Sequence, residues 1–99
     1  MKFRVDNTVL DTDKAACRWD EATKFNGQNH ISVATGYQWY HETLYRSRKG
    51  RYYLVHTSDW QGSSSSAEIV SDREAAQWLL HNEHPLPEDL QPLEDEVME

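Results

Sequence analysis

Five histidines and one cysteine are the side chains of this 99-residue sequence best suited to acid–base, nucleophilic or metal chemistry. His81 and His84 stand three apart, with Glu83 between them, a spacing that on a continuous helix would present two imidazoles on one face. Pro85 ends any helix there, so the pair is not held at ligand geometry, and no cysteine or second pair lies close in sequence. His41 and His56 belong to two runs able to pair as strands, where a cross-strand polar contact is a simpler reading than general acid–base catalysis. Cys17 would need a neighbouring base and a lowered pKa to act as a nucleophile, and alone it forms no internal disulfide or zinc site, so it reads as a small packing residue. Asp11, Asp13, Asp20 and Glu21 lack the regular ligands and terminal Glu of a calcium loop and read as caps and solvated groups. There is no phosphate-cradling glycine loop, serine elbow or HExxH motif. The residues therefore predict no enzyme, no metal and no cofactor. A small enzyme working through Cys17 or a histidine is kept as a rival.

Charge carries more information. The formal net charge is -7, but residues 1–57 hold nine Lys and Arg against six acids, whereas residues 58–99 hold Arg73 alone against eleven acids. Glu83, Glu88, Asp89, Glu94, Asp95, Glu96 and Glu99 fall in a final stretch without Lys or Arg. That is the composition of a solvated or partner-seeking tail, repelling nucleic acid and attracting basic surfaces. Arg46, Arg48, Lys49 and Arg51 form the one basic patch, beside Tyr45, Tyr52 and Tyr53. Phosphate contact plus stacking would suit a single strand, but the acidic total opposes a dedicated nucleic-acid binder, so direct binding is not expected.

These groups must be positioned by a small core. The length suits one domain, hydrophobic residues make up only 37 % of it, and four Trp, five Tyr and two Phe must supply much of the buried area. Lys2 to Val5 and Thr8 to Leu10 read as a hairpin around Asp6-Asn7. Tyr37 to Thr57 contains two aromatic, β-branched runs about a basic turn with Gly50, a second hairpin. In its second run Tyr52, Leu54 and His56 alternate with Tyr53 and Val55, and the latter pair looks core-facing. Lys14 to Trp19 fits either a helical turn or a strand, Asp59 to Ser66 reads as a loop, and Ala67 to Val70 as a returning strand. Ser71 and Glu74 form a capping box ahead of Ala75, Trp78 and Leu79, which share one helix face up to the C-cap Asn82. The fold expected is α+β: a small antiparallel sheet of about four strands with one amphipathic C-terminal helix, as a single domain over 1–82, followed by an acidic, proline-containing tail over 83–99. No apolar run is long enough to span a bilayer, and Met1 to Arg4 lacks a signal-peptide core, so a cytoplasmic location without membrane contact is expected.

Asp11-Thr12-Asp13-x-Ala15, Glu42-Thr43-Leu44-Tyr45-Arg46 with Lys49-Gly50 and Tyr53-Leu54, and Ile69-Val70-Ser71 leading to Ala75 and Trp78 resemble a widespread group of small proteins from bacteria, phages and mobile elements. That resemblance bears on fold and carries no general activity. In size, acidity and aromatic content the chain is also similar to anti-CRISPR proteins. This resemblance implies a non-enzymatic inhibitor that occupies the basic groove of a host defence complex, such as a CRISPR effector complex, as a nucleic-acid decoy. Glu83, Glu88, Asp89, Glu94, Asp95 and Glu96 would then replace phosphates, with Trp60 and Tyr52 as aromatic anchors. An antitoxin or immunity protein masking a basic toxin would use the same charge.

Overall fold

Asp6 and Asn7 adopt positive φ angles of 49° and 64°, as both central residues of a type I′ hairpin turn must. They join β1 (Lys2–Val5) to β2 (Thr8–Asp11), with Val5 opposite Thr8. The computed structural model describes residues 1–25, 27–36, 39–58 and 65–97. Asp11 accepts the Asp13 amide at 3.0 Å and caps a 3-10 turn at Thr12–Lys14. The chain then extends into β3 (Cys17–Asp20), resolving the helix-or-strand choice at 14–19 into one turn followed by one strand.

The main sheet runs β3-β6-β7-β8, antiparallel throughout. Its centre is the aromatic hairpin of β6 (Tyr40–Arg46) and β7 (Tyr52–Ser58), with Leu44 opposite Leu54 and Tyr45 opposite Tyr53. The returning strand is β8 (Ser66–Ile69). Because side chains alternate along a strand, β7 feeds two cores at once. Leu44, Tyr52 and Leu54 join Val70, Ala75, Ala76, Trp78 and Leu79 on one face. Tyr53 and Val55 meet Leu10 on the other, under Phe3 and Val5 of the first hairpin. Tyr53 and Val55 thus face a core as expected, but Tyr52 and Leu54 on the opposite face of β7 are buried as well.

Helix α1 (Asp72–His81) starts at the capping box, with the Glu74 amide donating to Ser71 Oγ at 3.1 Å and the Ser71 amide donating to Glu74 Oε1 at 3.2 Å. It ends in a Schellman motif. The His84 amide donates to Leu79 O and the Glu83 amide to Leu80 O, with Glu83 itself left-handed at φ 65°.

Two expectations need correction. The architecture is α+β, but the described residues form eight strands in three antiparallel sheets, with a second helix, α2 (Glu94–Val97). The unforeseen sheet pairs β4 (Thr23–Phe25) with β5 (His30–Ser32). Phe25, its largest apolar residue, is exposed, so this hairpin lacks the alternation that reveals a half-buried strand. Nor is the acidic stretch, expected as a tail, separate from the domain over 1–82, since residues 83–97 fold back onto it. Leu86 and Leu90 are buried in the helix-side core, with Leu93 and Val97 packed against it. Their recurrence marks an apolar stripe that the intervening acids obscure. The prolines stop α1 without preventing this docking, so position 82 is not the edge of the core.

Candidate functional site

The docked segment turns its leucines inward and thereby sets its carboxylates outward. Glu83, Glu88, Asp89, Glu94, Asp95 and Glu96 are all exposed. Among the described residues, the ion pairs found include none to Glu83, Glu88, Glu94, Asp95 or Glu96. Arg73, the lone cation of this half, reaches only the backbone carbonyl of Glu96, at 3.4 Å. The docked segment thus carries five carboxylates that no cation among the described residues neutralises.

Asp89 behaves differently. Its Oδ2 accepts the Tyr52 hydroxyl at 2.8 Å and lies 3.5 Å from Arg46 Nε, an ion pair without hydrogen-bond alignment. The Arg46 guanidinium also sits over the Tyr52 ring, 5.9 Å from its centroid. Burial, followed by the Asp89 contact, pushes the Tyr52 phenol above its ordinary value. Asp89 therefore serves as an internal tether for the segment. Tyr52, 1 % exposed, is a core residue and not a surface anchor. Its place on the central strand, opposite Arg46, puts its ring under the C-terminal segment. Trp60, the other aromatic assigned to a partner, lies outside the described residues.

The basic patch is divided in the same way. Arg46 turns toward Asp89, whereas Arg48, Lys49 and Arg51 join Lys14 along a groove of about 630 Å³ between the β6–β7 tip and strand β2. Tyr52 and Tyr53 are buried, and Tyr45 stacks on Tyr53 at 5.3 Å, so these rings are not a platform for bases.

The remaining polar side chains make contacts that tie elements of the fold together. Glu21 accepts the His41 imidazole at Nδ1 (2.5 Å), the Ser32 hydroxyl and the Glu42 amide (2.9 Å). Serine and histidine both address the carboxylate, which is not the Ser–His relay a nucleophile requires. This hub ties the β4–β5 hairpin to β6, a role no local pattern around Asp20-Glu21 announces. His41 faces Thr57 across the hairpin, and His56 faces Glu42, so the two histidines are not cross-strand partners. The His56 nitrogens instead meet Glu42 at 3.2 Å and Glu68 at 3.1 Å. Burial raises the Glu42 carboxyl, His56 counteracts this, and the Trp78 indole approaches without completing a hydrogen bond. His81 and His84 donate through Nε2 to Val33 O (3.1 Å) and Asp20 O (2.6 Å), pinning loops to the end of α1. Asn82 Oδ1 accepts the Ala22 amide at 3.0 Å and adds a third pin. Cys17 is partly exposed on β3, opposite Arg46. Among the described residues, no group of three or more His, Cys, Asp and Glu side chains is placed to hold a metal ion, and no helix is long and apolar enough to cross a membrane. Neither a protein-family model, nor a curated protein, nor a solved structure matches the chain.

Proposed function

We propose that this protein is a non-enzymatic inhibitor that docks its acidic C-terminal face onto the basic, nucleic-acid-handling surface of a host defence complex. One observation carries the reading: Leu86 and Leu90 hold the segment against the core while Glu83, Glu88, Glu94, Asp95 and Glu96 point to solvent unneutralised. Carboxylates fixed in place pay less ordering entropy on binding than those of a mobile tail, and complementary charge steers association with a basic groove. Asp89 and Tyr52 leave the docking set because they hold the segment in place. A CRISPR effector complex is the class of partner that the size and acidity suggest.

Binding of the purified protein to guide-loaded CRISPR effector complexes, measured by interferometry, tests this. Wild type should bind, be displaced by target DNA, and weaken as salt rises. The variant Glu88→Gln/Glu94→Gln/Asp95→Asn/Glu96→Gln should bind about tenfold or more weakly, equivalent to at least about 1.4 kcal/mol, with a flatter salt response. Equal affinity for the variant, or affinity indifferent to salt, contradicts docking by charge.

A further inference from the structure

We propose that the groove between strand β2 and the β6–β7 tip is a phosphate-binding cleft that takes the backbone of duplex nucleic acid. Lys14 from the 3-10 turn and Arg48, Lys49 and Arg51 from the tip converge on its roughly 630 Å³. Asp11 is the only acid in the lining, and its Oδ1 is committed to the Asp13 amide. Arg48, Lys49 and Lys14 have no ion pair among the described residues.

The cations stand on a backbone that is already fixed. Ser47 N donates to Arg51 O at 2.8 Å, Arg51 N to Ser47 Oγ at 3.0 Å, and Gly50 N to Ser47 O at 2.9 Å, with Gly50 at φ 88° closing the turn. Arg51 Nη1 donates to Thr8 Oγ1 at 3.3 Å, which aims its guanidinium across the opening and joins the two rims. Such preorganised donors suit phosphate oxygens.

The lining also selects among phosphate-bearing ligands. It contains no aromatic ring, so nothing in it stacks on an exposed base as single-strand binders do, and a free nucleotide would find no base pocket. A duplex backbone, read by charge alone, fits what is there.

The chain's net charge of -7 does not forbid this. The groove lies beside the first hairpin, on the Tyr53 and Val55 side of the sheet, whereas the acidic segment covers the Tyr52 side. Asp89, the acid of that segment that reaches the tip, is paired there with Arg46, and salt near 0.1 M screens exposed charges over about 10 Å, which weakens the field of the other carboxylates at the groove. The inference does not rest on the acidic face. An inhibitor holding both surfaces would grip a defence complex and the nucleic acid beside it.

Fluorescence anisotropy with a labelled 20-base-pair DNA duplex, from about 50 to 200 mM KCl, tests the cleft. Wild type should bind with log affinity falling by about 3 units for each log unit of salt, consistent with three to four phosphate contacts. Arg48→Gln/Lys49→Gln, both exposed and therefore tolerated by the fold, should lower affinity about tenfold at low salt and reduce that slope by about 2. Lys14→Gln should reduce the slope by about 1, and Arg73→Gln, on α1, should leave it unchanged. Absence of duplex binding at the lowest salt, tighter binding of a single strand, or equal losses in all three variants overturns the proposal. So does concentration-dependent self-association that disappears in Arg48→Gln/Lys49→Gln, since that would give the groove to the acidic segment of a second copy. The Glu88→Gln/Glu94→Gln/Asp95→Asn/Glu96→Gln variant should bind the duplex at least as well as wild type, so failure of this site is distinguishable from failure of the acidic face.

Discussion

The two faces of the four-stranded sheet are closed by different means, and Tyr52 and Tyr53, adjacent in sequence, report the difference. On the Tyr52 face, α1 and the C-terminal segment bring six buried residues, Ala75, Ala76, Trp78, Leu79, Leu86 and Leu90, together with a directed hydrogen bond to Asp89. On the Tyr53 face a two-stranded hairpin covers a smaller cluster of Leu10, Tyr53 and Val55, and the buried Tyr53 hydroxyl has no partner. Burial raises the Tyr53 phenol, as it does for Tyr52, but no carboxylate receives its proton. The well-closed face carries the acidic surface and the thinly closed face adjoins the basic groove. What teaches most is that sheet alternation alone does not equalise two cores. The elements that arrive to cover each face decide how well its polar groups are met.

Truncation of Leu90, fully buried beneath the acidic segment, breaks the comparison most severely. Leu90→Ala should cost about 3 kcal/mol in urea unfolding, through lost transfer energy and the cavity left behind. A cost below about 1 kcal/mol would mean that the segment adds little to the core.

Removing one hydroxyl from each tyrosine sharpens it. Tyr52→Phe should destabilise by about 1–2 kcal/mol, because Asp89 loses a donor at a partly buried site. Tyr53→Phe should be neutral or stabilising, since a buried hydroxyl without a partner gains nothing by remaining. Equal costs at the two positions would erase the distinction.

The smallest effect concerns pH. Burial, more than repulsion from Glu68 and Glu21, holds the Glu42 carboxyl above its usual value despite His56. The folded chain therefore binds this proton more tightly than the unfolded chain. The stabilisation is complete below the ordinary value of 4.5 and is lost as pH rises through the raised one. Relative to Glu42→Gln, wild type should lose thermal midpoint over that window and hold a constant difference above it. A difference independent of pH contradicts the burial effect.

Where a feature was written in neighbouring residues, the sequence disclosed it. The Asp6-Asn7 turn, the Ser71–Glu74 capping box, the Asn82 cap and the hairpin about Gly50 all rest on contacts within a few positions. The Glu21 hub was hidden because its donors come from Ser32, His41 and Glu42, brought near only by folding. The acidic segment misled for another reason. Its charge density masked the periodic leucines, and Pro85 and Pro87 suggested an end to structure when they end only α1. The carboxylates of the candidate site were thus legible as residues, but their fixed presentation and the exception of Asp89 were not.

Backbone hydrogen exchange at Leu90 and Leu93 tests most directly whether the acidic carboxylates stand on an ordered face. Their amides donate to Pro87 O and Leu90 O, each at 2.9 Å, beneath a surface closed by buried leucines. Both should exchange about a hundredfold or more slower than in an unstructured peptide and lose that protection in Leu90→Ala. Exchange at the free-peptide rate in the wild-type chain would return residues 83–97 to the status of a tail and leave the acidic face without a foundation.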